Sequence, residues 1–260
     1  MKAISIQGIG YDAKSSFQTG PGKAPSFIRE ALYSGSMNLY SENGMNLESD
    51  RITDKGDFPI DDYFDIEKIT GKHLGGSDKI LTLGGDHSIT YPIIKAFSEK
   101  YARMDILHID AHADLYHEYE GDPHSHACPF ARIMENGLAK RLVQVGIRTL
   151  NPHQFAQAQK FGVEVHEMKN LDLTRHFEFN NPLYISLDMD GFDPAHAPGV
   201  SHHEPGGLTP RQVIGLIQSL KGKVIGADIV EYNPDRDFQN MTGYLAAKMM
   251  KEILGKMLES

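Results

Sequence analysis

Residues 104–114 read MDILHIDAHAD, an apolar run that passes directly into a cluster of acidic and imidazole side chains. The run MDILHI has the length of a buried strand. Asp110, His112 and Asp114 follow at every second position, and in an extended chain such residues share one face. The stretch therefore predicts a strand whose carboxyl end directs three candidate metal ligands at one spot.

Similar apolar runs recur along the chain and alternate with one-sided helical patterns. The candidate strands are residues 3–9, 79–83, 104–109, 141–147, 163–167, 183–189 and 223–230, with a weaker one near 45–57. Apolar residues repeat at helical spacing after Ser88, after Pro210 and from about residue 241. Such alternation is typical of a mostly parallel sheet with helices on both faces. We therefore predict an α/β fold in a single domain over residues 1–260.

Acids or imidazoles follow four of these strands. They stand in GGDH at 84–87, DAHAD at 110–114, DMD at 188–190 and at Glu231. Because parallel sheets bind ligands beyond the carboxyl ends of their strands, we expect these side chains to meet. Four carboxylates held together would repel one another, and two divalent ions would offset their charge. The predicted metal ligands are His87, Asp110, His112, Asp114, Asp188 and Asp190.

The residue types favour particular ions and a particular chemistry. Oxygen-rich sites with one or two imidazoles suit harder ions such as manganese, and the same side chains also bind zinc, iron, cobalt and nickel. The single cysteine, Cys128, excludes a Cys-rich zinc site and an internal disulfide. Two neighbouring ions can hold a bridging water and lower its pKa from about 15.7 towards 7. Hydrolysis is the predicted use of this water.

Composition limits the class of partner. The chain has 260 residues and a formal net charge of −9, which disfavours nucleic acid and anionic membranes. The N-terminal segment MKAISIQGIG does not have the pattern of a signal peptide. No apolar run approaches the roughly 20 residues of a membrane helix. We expect a cytoplasmic protein that acts on a small molecule.

Three segments together resemble the metal-binding signatures of the ureohydrolases, the family of arginase and agmatinase. They are GGDHS (84–88), DAHADL (110–115) and SLDMDGFDP (186–194), and further similarity lies in GPGKAPSFIREAL near the N-terminus and DIVEYNP at 228–234. The resemblance implies a three-layer α/β/α fold with an eight-stranded parallel sheet. It also implies two Mn²⁺ ions per chain and a homo-oligomer of three or six chains.

The resemblance also assigns the ligands to two ions. One manganese would be held by His87, Asp110, Asp114 and Asp188, and the other by Asp110, His112, Asp188 and Asp190. Asp110 and Asp188 would bridge the two ions. Asp114 would also carry a proton from the attacking water to the departing amine.

Two further residues match the substrate side of the family's site. Glu231 matches the carboxylate that binds a substrate guanidinium, with a structural ion pair to Arg236 as the alternative. His126 matches a histidine that shuttles protons, although three other histidines lie nearby in the sequence. These are His108, His117 and His124.

The charge of the candidate site bears on the substrate. Residues 84–91, 110–129 and 186–208 contain no Lys or Arg, whereas a two-metal phosphoesterase needs groups that hold phosphate oxygens. A non-catalytic metal-binding protein would have no need of Glu231 or His126. Asn151 stands where arginases carry an Asp that helps to hold the α-amino group of arginine. We therefore predict hydrolysis of agmatine to urea and putrescine, with guanidino acids, arginine and formiminoglutamate as alternative substrates.

Overall fold

The computed structural model describes residues 3–172 and 177–259, within which eight strands alternate with seven α-helices. The strands are β1 (Ile4–Ile9), β2 (Ile52–Phe58), β3 (Lys79–Gly84), β4 (Asp105–Ile109), β5 (Arg141–Ile147), β6 (Glu164–Glu167), β7 (Leu183–Asp188) and β8 (Val224–Val230). The helices are α1 (Ala24–Tyr33), α2 (Asp65–Gly76), α3 (Thr90–Lys100), α4 (Pro129–Glu135), α5 (Pro152–Phe161), α6 (Pro210–Ser219) and α7 (Met241–Glu259).

The eight strands form one parallel sheet in the order β2-β1-β3-β8-β7-β4-β5-β6. The predicted fold class is therefore confirmed. The four strands that precede the acids and imidazoles, β3, β8, β7 and β4, are consecutive neighbours at the centre of the sheet. Their carboxyl ends lie side by side, so the order of the strands alone brings the candidate ligands to one edge.

The weak strand expected near 45–57 begins later, at Ile52. It is the edge strand β2, and its residues are exposed or half-buried throughout. An edge strand has one unpaired side and needs no continuous apolar run, so its sequence carries a weaker signal than that of a central strand.

The sheet separates two hydrophobic clusters. One contains the inward faces of α1, α6 and α7, and the other contains those of α2, α3 and α4. The predicted apolar stripes on α3, α6 and α7 face the core. The N-cap residue of α6 is Thr209, whose side chain forms a reciprocal capping box with Gln212. Among the described residues, no helix combines the length and the apolar character needed to cross a bilayer.

Two glycines allow a test of the packing on the α2–α3 face. A Cβ atom at Gly226 in β8 would lie 2.5 Å from Cζ of the buried Phe97, whereas one at Gly71 in α2 would meet nothing within 4 Å. Gly226→Ala should therefore lower the free energy of unfolding by about 1–3 kcal/mol through overpacking. Gly71→Ala should raise it by about 0.5–1 kcal/mol, because alanine favours the helix. Denaturant titration measures both changes, and shifts of the same sign would contradict this packing.

Candidate metal centre

The site is built at the carboxyl ends of the four central strands. His87 follows β3, Asp110 follows β4, Asp188 ends β7 and Glu231 follows β8. The possible ligand atoms form two overlapping groups, and within each group the atoms lie within 4.8 Å of one another. The first group is His87, His108, Asp110 and Asp114, and the second is Asp110, His112 and Asp190. The structure thus brings together the side chains that the sequence predicts as ligands, and it adds His108.

The imidazole of His87 is enclosed by carboxylates. Its Nδ1 atom lies 3.1 Å from Oδ2 of Asp110, 3.1 Å from Oδ2 of Asp114 and 3.0 Å from Oδ2 of Asp188. Among the described residues, this nitrogen has no hydrogen bond of acceptable geometry. One imidazole nitrogen and three carboxylate oxygens therefore converge on one point, and the nitrogen has no hydrogen-bond partner.

The other ring nitrogen of His87 fixes the direction of this convergence. Nε2 lies 2.9 Å from Oγ of Ser186, and that hydroxyl donates to Oδ1 of Asp228 at 2.6 Å. Asp228 also accepts hydrogen bonds from the hydroxyls of Thr90 and Tyr184. Because the single Ser186 proton goes to Asp228, Ser186 must accept from Nε2–H. Nδ1 is then left to present its electron pair to the carboxylates, as in a metal-ligating histidine.

Asp110 lies between the two groups of ligands. Its Oδ2 faces His87, while its Oδ1 lies 3.5 Å from Nδ1 of His112 and accepts a hydrogen bond from the His112 backbone N–H at 2.6 Å. Nδ1 of His112 also lies 3.1 Å from Oδ2 of Asp190. Asp188 directs Oδ2 at His87 and accepts the backbone N–H of Asp190 on Oδ1. Asp110 is therefore placed to bridge two ions, as the resemblance implies.

His108 is the part of the cluster that the sequence reasoning missed. Its Nε2 lies 2.7 Å from Oδ2 of Asp110, and its Nδ1 lies 3.0 Å from Nε2 of Gln144, which also donates to the carbonyl of Ala113. Since the Gln144 amide donates to Nδ1, the His108 proton sits on Nε2 and is donated to Asp110. His108 thus supports a ligand. The sequence does indicate this contact, because His108 stands two residues before Asp110 and such residues share one face of a strand.

Burial and repulsion both affect the acids and imidazoles. Burial raises the pKa of Asp188 well above its usual value, and the charges of Asp110 and Asp190 raise it further. Burial also raises the pKa of Asp190, to about 6. Burial alone would lower the pKa of His87, but its contacts with the carboxylates raise it well above the usual value. A proton and a metal ion therefore compete for the same atoms.

The geometry fits divalent ions. Two neighbouring ligands on one octahedral ion, each at about 2.1–2.2 Å, are about 3.0 Å apart. The three contacts of His87 Nδ1, at 3.0–3.1 Å, have this spacing. The donor set of four carboxylates and two imidazoles suits a hard ion such as manganese. The residues present therefore fit the pair of ions that the resemblance implies.

Glu231 and His126 lie together beside the ligands. Oε1 of Glu231 accepts the backbone N–H of His87 at 2.8 Å and lies 2.9 Å from Nδ1 of His126. In the neutral form of His126, Nε2 accepts the backbone N–H of Ser16 at 3.2 Å and the ring proton is at Nδ1, towards Glu231. Burial opposes a charged imidazole, but Glu231 raises the pKa of His126 to about 9. Oε2 of Glu231 has no hydrogen bond to any described residue.

Two of these residues have an unusual backbone. Asp114 and Glu231 have φ angles of +49° and +62°, in the left-handed region that favours glycine. Each such residue costs about 1–3 kcal/mol and persists only where its surroundings hold it. For Glu231, the backbone N–H donates to the carbonyl of Gly85 at 2.9 Å. Both of these residues direct their carboxylates at an imidazole, Asp114 at His87 and Glu231 at His126.

A cavity of about 190 Å³ opens above the ligands. Asp114, Asp188, Glu231 and His126 are among its lining residues. The lining also contains Ser16, Tyr116, Tyr119, Gln154, His202 and Glu204. Among the described residues that line it, none is Lys or Arg. The cavity is therefore strongly negative and suited to a cationic molecule.

Asn151, the predicted substrate-binding residue, lies outside this lining. Its Oδ1 accepts the backbone N–H of Gln154 at the start of α5, and its Nδ2 donates to the hydroxyl of Tyr116. Both ends of the amide are therefore used within the protein. In this arrangement Asn151 can affect a substrate only through Tyr116 and Gln154, which do line the cavity.

The comparisons with known proteins cover nearly the whole chain. The model of the arginase family matches residues 2–255. The chain is 46% identical to the mitochondrial arginase of Medicago truncatula, over 97% of this chain and 81% of that protein. It is 36% identical to the human mitochondrial guanidino acid hydrolase, over 95% and 76% of the two chains, and 31% identical to a Bacillus cereus agmatinase, over 96% and 90%.

The fold agrees with these sequence matches. The solved structure of a Medicago truncatula arginase superposes with a TM-score of 0.92 at 43% identity, covering 98% of this chain and 87% of that one. The match of the family model, the sequence identities and the shared fold together show that the chain belongs to the arginase family of ureohydrolases.

Proposed function

We propose that the chain hydrolyses a guanidino compound to urea and a primary amine, with L-arginine as the leading substrate. The observation that carries this proposal is the carboxylate of Glu231. One of its oxygens is fixed by His87 and His126, and the other has no hydrogen bond to any described residue. A guanidinium group offers the paired N–H donors that such a carboxylate binds.

The metal ligands in this proposal are the six that the sequence predicts. His87, Asp110, Asp114 and Asp188 would hold one ion, and Asp110, His112, Asp188 and Asp190 the other. We propose that both ions are manganese, given the oxygen-rich donor set. When bound, two such ions supply a water of lowered pKa as the nucleophile and polarise the substrate.

The residues of the chain have separate tasks in this reaction. Glu231 orients the guanidinium plane beside the metal ligands, which converts an encounter into a positioned attack. Asp114 lines the cavity and lies beside the metal ligands, so its carboxylate can take a proton from the nucleophile and pass it to the departing nitrogen. His126 holds a proton at Nδ1 and contacts Ser16 through Nε2, and it can exchange that proton with solvent.

The relatives and the cavity favour different substrates. Four of the relatives that carry the name arginase are 43–46% identical to this chain, whereas the agmatinase is 31% identical. We therefore place arginine before the agmatine that the sequence pattern suggested. Agmatine is the second candidate, because no Lys or Arg of the described lining offsets the carboxylate that arginine carries and agmatine lacks. Neutral donors such as Tyr119 and Gln154 remain available to that carboxylate.

The metal assignment predicts a stoichiometry and a stability change. We expect two manganese ions per chain by elemental analysis, and a gain in unfolding free energy of about 4 kcal/mol for each ion at a metal concentration a thousandfold above its Kd. Asp110→Asn should lose both ions and this gain, because Asp110 contacts both groups of ligands. The exposed Asp61→Asn is the matched control. One ion or none in the fully active enzyme would contradict a two-ion site.

The position of His126 predicts a defect in turnover alone. His126→Asn should lower kcat by about 10²–10⁴-fold while the manganese content stays at two, because a positioned proton carrier contributes on that scale. His124→Asn is the control, since His124 packs against Tyr63 and Tyr91 rather than Glu231. A normal rate in His126→Asn together with a large loss in His124→Asn would move the proton-transfer role to His124.

The substrate assignment is tested by urea release from the manganese-loaded enzyme. We expect kcat/KM for L-arginine to exceed that for agmatine and guanidino acids, and to exceed that for formiminoglutamate, whose hydrolysis yields formamide and is measured by formamide release. Glu231→Gln should impair every active substrate. A higher kcat/KM for agmatine would establish the second candidate. If no guanidino compound releases urea, the proposed function is wrong.

A further inference from the structure

Glu204 is a carboxylate at the wall of the cavity that the reaction described above does not use. It lines the same cavity as Asp190 and Glu231 and is half-buried. Its backbone carbonyl accepts a hydrogen bond from Nε of Arg148 at 2.7 Å. Its carboxylate has no hydrogen bond or ion pair with any residue that the structure describes. The backbone of Glu204 is held while its charge is left free.

Arg148 ties Glu204 to the metal ligands. The same guanidinium that holds the carbonyl of Glu204 donates through Nη2 to the carbonyl of Asp190 at 2.7 Å. The loop after Glu204 is fixed as well, because Oδ2 of Asp193 accepts the backbone N–H of Gly206 at 2.7 Å. The distance between the Glu204 backbone and the metal centre is therefore set by rigid contacts. Such preorganisation lowers the entropy that binding would cost.

The charge around Glu204 defines what it can bind. No Lys or Arg among the described lining residues neutralises it, and the lining contains four further acids, Asp114, Asp188, Asp190 and Glu231, beside three histidines. A free carboxylate in such a place repels anions and favours a cation that supplies N–H donors. Glu231 lines the same cavity, so the two carboxylates can bind two cationic groups at opposite ends of one molecule.

We propose that Glu204 binds the primary ammonium group at the far end of the substrate from the guanidinium. This inference rests on the proposed function. Arginine and agmatine both carry an ammonium on the same carbon of the chain, so Glu204 recognises both. A substrate whose far end is neutral gains nothing from Glu204, and one that ends in a carboxylate is repelled. Glu204 therefore selects for the far end of the molecule, while Glu231 binds its reactive end.

The test compares guanidino compounds that differ only at the far end. Urea release is measured with agmatine, L-arginine, n-butylguanidine and 4-guanidinobutanoate on the manganese-loaded wild type and on Glu204→Gln. We expect Glu204→Gln to lower the ratio of kcat/KM for agmatine over butylguanidine by about ten- to a hundredfold, as for loss of one hydrogen bond to a charged group. The loss should appear mainly in KM, because the ammonium is remote from the reacting carbon. The corresponding ratio for 4-guanidinobutanoate should rise.

The matched control is Glu118→Gln, which removes the same charge from an exposed residue outside the cavity lining. An equal fall of the ratio in this variant would overturn the inference in favour of a general field effect. An unchanged ratio in Glu204→Gln, with urea released by the wild type, would overturn the role of Glu204 and leave the proposed function standing. Release of urea from none of the four compounds by the wild type would overturn both.

Discussion

The site depends on one buried imidazole nitrogen whose electron pair faces three carboxylates. Ser186 and Asp228 hold the Nε2 proton of His87, and this leaves Nδ1 directed at Asp110, Asp114 and Asp188. Electron pairs at 3.0–3.1 Å repel one another unless a cation or a proton lies between them. The fold tolerates this repulsion because the strands that carry these residues are central and covered on both faces. This arrangement therefore favours the binding of a cation.

On the substrate side of the site, the two carboxylate oxygens of Glu231 also differ in their contacts. Oε1 of Glu231 accepts hydrogen bonds from the His87 backbone and from His126, and Oε2 is left for a ligand in the cavity. The backbone contact joins the two functions, since the chain that positions a metal ligand also positions the carboxylate proposed to bind the guanidinium. Removing one side of this pair would therefore disturb the other, as expected for residues that share hydrogen bonds.

Much of this could be predicted from the sequence, for physical reasons. Asp110, His112 and Asp114 follow an apolar strand at alternate positions, so their common direction is a local property of the chain. The left-handed backbone of Asp114 and Glu231 could not be predicted, because no glycine marks it and distant contacts impose it. The contact of Ser16 with His126 joins residues 110 positions apart, and the amide of Asn151 is used up by Tyr116 and the start of α5. Such pairings are determined by tertiary structure, which local patterns do not report.

The place of β8 in the sheet has a consequence for how the protein is made. β8 is the last strand in the chain, yet it lies between β3 and β7 and alone connects β2-β1-β3 with β7-β4-β5-β6. Until it emerges during synthesis, each half presents an open strand edge with unpaired backbone groups. Pairing across such sequence distances is slow, and exposed edges favour association between chains. β8 thus completes the edge of the sheet that carries the site. Because it is synthesised last, the chain is most prone to aggregate before β8 has paired.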